Sequence, residues 1–150
     1  MSNSRIPFVT GRRRVLLAAI LVSLGKIFPV RAATPVLDDF GGVPGLTAMM
    51  EDFDANLMAD DRTRPFFENV DRKRVKAKLV EQFCALLGGD CVYRGGNMKG
   101  IHRGLGITRE DFNALIEALQ DAMDKHDVPF RSQNKLLALL APMHRDIVEK

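Results

Sequence analysis

The feature that most restricts the fold of this chain is a gap in its helical patterning. From Gly88-Gly89 to Ile107 no long amphipathic segment forms. Asp90 to Asn97 is irregular, and the stretch from Met98 to Gly106 has room for barely two turns. Long helical patterns lie on either side. A domain whose middle is irregular lacks a fourth long helix to close its core. Either the three amphipathic helices close on themselves or a flat apolar cofactor fills the space. The gap also holds His102, set among Gly100, Ile101, Gly104, Leu105 and Gly106.

A single histidine on an apolar stretch is ordinarily a packed or surface residue. Here no cysteine pair and no second histidine lies close enough to complete a metal-binding spacing. An imidazole held alone suits the axial position of a haem iron, because the porphyrin supplies the other four nitrogens.

The flanking patterns are helical throughout. Phe40-Gly41-Gly42-Val43-Pro44-Gly45 reads as a turn leading into a helix, after which Leu46, Met49, Met50, Phe53, Leu57 and Met58 recur at a helical period. Ala59-Asp60-Asp61 ends it, and Arg64-Pro65-Phe66-Phe67 forms a tight corner. Asp71 is placed to cap a helix running to about Leu87, with Val75, Leu79, Phe83 and Leu86 on one face. Thr108 and Asp111 spell a capping box for a long helix that buries Phe112, Leu115, Ile116, Leu119 and Met123 and ends before Pro129. A last helix carries Leu136, Leu137, Leu140, Ile147 and Val148, and Pro142 bends it. No stretch alternates with period two, so the fold class is all-α.

Charge separates two parts of the chain. Of 22 basic and 19 acidic residues, the first 33 positions hold six basic ones and no acid. The remainder is mildly acidic, which excludes a nucleic-acid footprint. Residues 1–33 read as an export signal: Arg12-Arg13-Arg14, an apolar run from Val15 to Leu24, then small residues around Arg31. Arg12-Arg13 also fits a twin-arginine pattern loosely. The expected location is the periplasm. The alternatives are an uncleaved anchor, which would be the one membrane association, and a cytoplasmic chain. Residues 34–150 form the expected domain. Cys84 and Cys91 either bridge across the glycine turn in an oxidising compartment, or stand as one buried and one exposed thiol.

Phe40-Gly41-Gly42, Phe53, Ala59-Asp60-Asp61, Phe66-Phe67, Phe83, Leu87-Gly88-Gly89, Tyr93, Gly95, Met98, His102, Ile107, Phe112, Val128-Pro129 and Ala141-Pro142 together resemble the group I truncated haemoglobins. The resemblance runs from about residue 38 to 148. It implies a two-over-two helical sandwich enclosing haem b, with His102 as proximal ligand and Phe67 stacked on the porphyrin. It also implies Tyr93 and Lys78 near the propionates, and Phe53, Val75, Leu79 and Phe83 on the distal side. Met98 and Ile107 join the haem-contacting set. The implied ligands are dioxygen, nitric oxide or carbon monoxide.

The chain departs from the family where ligand chemistry is decided. Relatives usually carry tyrosine where Asp54 stands, and glutamines at the places of Val75 and Leu79. The hydroxyl and amides that would donate to bound dioxygen are missing. Asp54 has three open accounts: it points outward and is solvated, it pairs with Lys78, or it sits beside the haem as a protonated distal acid. Lys78 has a second role open to it, that of sixth iron ligand in its neutral form. His126 reads as a surface residue and His144 as a packed or rim one. The function expected is reversible gas binding. The rivals are a nitric oxide dioxygenase or weak peroxidase that needs an external redox partner, and a haem-free helical interaction module.

Overall fold

The computed structural model describes residues 36–150. By its own contacts the chain divides after Ala32, and the described residues belong to the second unit, Ala33–Lys150. The expected leader, residues 1–33, lies outside the described residues.

A 3-10 turn, Val36–Phe40, opens the described chain. The helices α1 (Gly42–Ala59), α2 (Arg64–Phe67), α3 (Arg72–Leu86), α4 (Met98–His102), α5 (Arg109–Lys125), α6 (Phe130–Leu140) and α7 (His144–Ile147) follow. Among the described residues there is no strand. Helix α1 packs on both α3 and α5, while α6 contacts α3 and α5, so two helix pairs face each other in two layers. This is the two-over-two arrangement.

Several boundaries follow from named side chains. Helix α3 begins where Asp71 accepts the Arg74 backbone N–H at 3.0 Å. At the head of α5 the capping box is complete: the Thr108 hydroxyl oxygen accepts the Asp111 N–H, and the Asp111 carboxylate accepts the Thr108 N–H at 2.9 Å. Helix α1 starts four residues before the first apolar position of its pattern. Gly41 takes a left-handed conformation there (φ 73°), and a Cβ on Gly45 would lie 1.9 Å from the Phe40 carbonyl oxygen. Only glycine lets the 3-10 turn rest on α1. Pro142 does more than bend the last helix. The chain passes through a 3-10 turn at Ala141–Met143 and resumes as α7.

The core lies where α1 and α5 meet. Leu46, Met49, Met50, Leu57, Leu119, Met123 and Leu136 are essentially sealed from solvent. Cutting one such leucine to alanine costs about 2–5 kcal/mol. Polar ties cross the same junction: the Asn56 amide donates to the Ala118 carbonyl at 3.1 Å, and Asp52 is held by Lys125 and His126. The Lys125 ammonium, ahead of His126, keeps the Asp52 carboxyl below its ordinary range.

Candidate functional site

A largely apolar cavity of about 440 Å³ opens between α3, α4, α5 and the end of α6, within the size range of cofactor pockets. Helix α3 supplies Val75, Lys78, Leu79, Gln82 and Phe83 to its wall, at the three- and four-residue spacing of one helical face. The corner after α1 supplies Phe66 and Phe67, and α1 itself supplies Phe53. Met98, Ile101 and His102 come from α4, with Leu105 and Ile107 just beyond. All ten residues expected to contact the cofactor (Phe53, Phe67, Val75, Lys78, Leu79, Phe83, Tyr93, Met98, His102 and Ile107) lie in this wall.

The imidazole of His102 is oriented by its own helix. Its Nδ1 stands 2.8 Å from the Met98 carbonyl oxygen, one turn back on α4. A carbonyl only accepts, so Nδ1 is the donor, and in the neutral ring the lone pair is then on Nε2. A hydrogen bond at the far nitrogen also fixes the ring and raises the basicity of the ligating one. Among the described residues no cluster of three or more His, Cys, Asp or Glu could hold a metal ion. An iron bound at Nε2 therefore takes its remaining ligands from elsewhere, as a porphyrin provides. The apolar walls suit the porphyrin's faces, and Arg74 and Arg94 are cations suited to its two carboxylates, while Lys78 at the same wall is already paired with Glu81. The residues present fit haem b.

Asp54 points out of the cavity, as the first of its three accounts has it, but it is ion-paired and not freely solvated. Its carboxylate is not part of the cavity wall. It turns to Arg72, 3.3 Å away, and to Lys76 at 3.9 Å, both on α3. The distal-acid account therefore fails on geometry, and so does the pairing with Lys78. Lys78 instead holds both carboxylate oxygens of Glu81 at 2.8 Å. Glu81 also accepts the Arg94 backbone N–H at 3.2 Å. The Lys78 ammonium is the main reason its carboxyl titrates below the usual range, with the Arg94 bond second. This network ties the loop after α3 back onto the helix. In the same loop the Tyr93 hydroxyl donates to the Gly96 carbonyl at 2.9 Å, and burial pushes the phenol's pKa up.

Cys84 and Cys91 form a disulfide, with Cα atoms 5.7 Å apart. It pins the end of α3 to the loop that carries Tyr93. His126 is bound to Asp52 and stands apart from the cavity. His144 packs edge-on against Phe112, ring centres 4.9 Å apart, and is not in the wall.

Gln82 was not singled out by its sequence. It is 8% exposed, and its amide nitrogen has only the sulfurs of Met98 and Met143 as partners, at 3.8 and 3.5 Å. The signal was present: position 82 lies three residues after Leu79 and seven after Val75, on the same face.

The profile of the Bacterial-like globin family matches residues 35–149. The group 1 truncated hemoglobin of Mycolicibacterium paratuberculosis is 35% identical over 119 residues, covering 78% of this chain and 88% of that protein. This chain is a group 1 truncated hemoglobin. The crystal structure of the ferric truncated hemoglobin from Tetrahymena pyriformis superposes on this globin with a TM-score of 0.73 at 26% identity. It covers 78% of this chain and 100% of that one. A group II truncated hemoglobin from Bacillus anthracis shares the fold as well, at a TM-score of 0.70 and 19% identity, covering 80% of this chain and 95% of that one. Fold alone thus spans both groups, and the sequence match assigns the group. As a member of this family the globin binds haem b.

Proposed function

We propose that this globin reversibly binds a diatomic gas, dioxygen, nitric oxide or carbon monoxide, on the haem face opposite His102. The observation that carries the reading is the His102–Met98 hydrogen bond, which leaves Nε2 free at the wall of an apolar cavity. Haem, held by His102, would supply an iron to which such a gas can coordinate. The chain does the rest. Met98 orients the imidazole, Phe53, Val75, Leu79 and Phe83 exclude water, and the cations of α3 and its following loop offer partners to the propionates.

Those four wall residues carry no proton donor, and Asp54 is engaged elsewhere, which leaves the Gln82 amide, held only by two sulfurs, as the neutral donor in the same wall. A hydrogen bond to a partly charged ligand is worth about 1.5–3 kcal/mol, so dioxygen that this amide does not reach leaves faster by about ten-fold or more. Whether the gas is exchanged or stored therefore turns on Gln82, and the dioxygen release rate of Gln82→Leu against wild type reads it. Binding is a simpler reading than nitric oxide dioxygenation or peroxide chemistry, because both of those need an external redox partner. Export to the periplasm belongs to the same proposal. What supports it is the basic-then-apolar run of residues 1–33 together with the Cys84–Cys91 bridge, since disulfides persist in oxidising compartments. Sequencing the N-terminus of protein recovered from separated cell fractions tests that part.

The decisive experiment is the optical spectrum of ferric and ferrous protein, with and without carbon monoxide, for wild type and His102→Ala. Wild type is expected to show a Soret band that shifts with carbon monoxide, and the variant to lose or alter it. A variant spectrum identical to wild type would remove His102 from the iron.

A further inference from the structure

We propose that Glu149 is a positioning residue for the haem-binding histidine, its carboxylate clamping the loop from Arg103 to Ile107 that leaves α4. The proposal rests on His102 being the iron ligand.

Helix α4 has five residues and contributes no buried side chain. A helix this short does not hold its own shape, because nucleation is costly and few bonds repay it. Something outside must fix both ends. At the start, Asn97 accepts the Gly100 N–H on its side-chain oxygen at 2.7 Å. At the far end the chain turns through Gly104 and Gly106, both left-handed, with φ of 79° and 67°. That backbone, which side chains other than glycine resist, aims two N–H groups at one place.

Glu149 occupies that place. One carboxylate oxygen accepts the Gly104 N–H at 2.6 Å and the other the Gly106 N–H at 2.8 Å. The bond is returned: the Glu149 backbone N–H donates to the Ile107 carbonyl at 2.9 Å. Residue 149 is thus bonded three times to a stretch that begins two residues after the histidine. The chemistry fits a carboxylate and little else. Two N–H donors need two acceptor oxygens, and an anion makes both bonds stronger than neutral ones. Glutamine would set its own NH₂ against one of the donors. The 3-10 turn at Pro142 and the short α7 bring the chain back so that residue 149 reaches the loop.

The test uses the full-length haem-loaded protein and the variants Glu149→Gln and Glu149→Ala. Two quantities are measured: the rate of haem transfer to excess apomyoglobin, and the iron–histidine stretching band in resonance Raman spectra of the ferrous deoxygenated form. Both variants are expected to lose haem about ten-fold faster, as removal of a charged hydrogen-bond partner predicts. Their band is expected to shift or broaden, because the imidazole is less firmly set. Raman reads only the bound fraction, so it stays informative where a variant holds less haem. Wild-type rate and band in both variants would overturn the proposal. Faster transfer with an unmoved band would also overturn it, since Glu149 would then support the fold without setting the histidine. A wild-type protein without a Soret band would overturn the haem reading itself, an outcome distinct from either.

Discussion

Replacing Cys91 with serine tests what the disulfide contributes. The bridge closes a loop of eight residues, Cys84 to Cys91. In the chain-entropy account, removing the cross-link returns about 2.5 kcal/mol of freedom to the unfolded state at 25 °C. The variant disturbs little else. Cys84 stays as a fully buried thiol, which packs as a small apolar group, and Cys91 is only half-buried. Unfolding entropy is about 2.1 cal/mol/K per residue, so over the described domain 2.5 kcal/mol corresponds to a fall in melting temperature of about 10 °C. The assay is thermal unfolding followed by far-UV circular dichroism, at matched protein concentration and haem saturation, because bound haem stabilises by mass action. Wild type treated with a reductant is expected to fall by a similar amount. A drop smaller than about 2 °C in both would refute the reasoning, since closing the loop would then cost the unfolded chain almost no freedom.

Three further outcomes follow from the geometry. Asp54→Asn is expected to leave dioxygen release within about two-fold of wild type in flash photolysis, because its carboxylate faces Arg72 and Lys76 and not the cavity. Thr108→Ala removes the acceptor of the α5 capping box and is expected to lower stability by about 1 kcal/mol in denaturant titration. Acid should weaken the fold in a defined window. Hydrogen bonds from Ser132, Lys125, Arg62, Lys78 and the Gly104 backbone, in that order, lower the carboxyl pKa values of Asp39, Asp52, Asp60, Glu81 and Glu149 in the folded state. Below the ordinary carboxylate range of about 4 the unfolded chain then binds more protons than the folded one. Melting temperature should thus fall as pH drops through that range and stay level just above it, in scans between about pH 2 and pH 6.

What the sequence disclosed, and what it withheld, sorts by distance along the chain. Asp71, Thr108 and Asp111 act within three residues of themselves, so their caps were legible. The face of α3 that carries Val75, Leu79 and Phe83 follows from period alone. The 3-10 turn at Val36–Phe40 is too short to leave a period, and its seat on Gly45 is a contact between elements. The partners of Asp54 were hidden for a related reason. Arg72 and Lys76 are on α3, and only the crossing of α1 over α3 brings them close, while Lys78 points to its own neighbour Glu81. Glu149 meets Gly104 and Gly106 across more than forty positions, and nothing local announces it. Gln82 was overlooked because an amide interrupts an apolar face whose spacing it nonetheless obeys.

The sealed junction of α1 and α5 has a consequence for how this molecule comes apart. Opening is graded across a structure, and the segments with the least buried surface open first. The slab made by Leu46, Met50, Leu57, Leu119 and Met123 should exchange its amide hydrogens only through global unfolding, whereas α4 contributes no sealed side chain. In this globin the α4 end of the haem cavity should therefore loosen well before the slab does, and the few bonds made by Asn97 and Glu149 are what delay it.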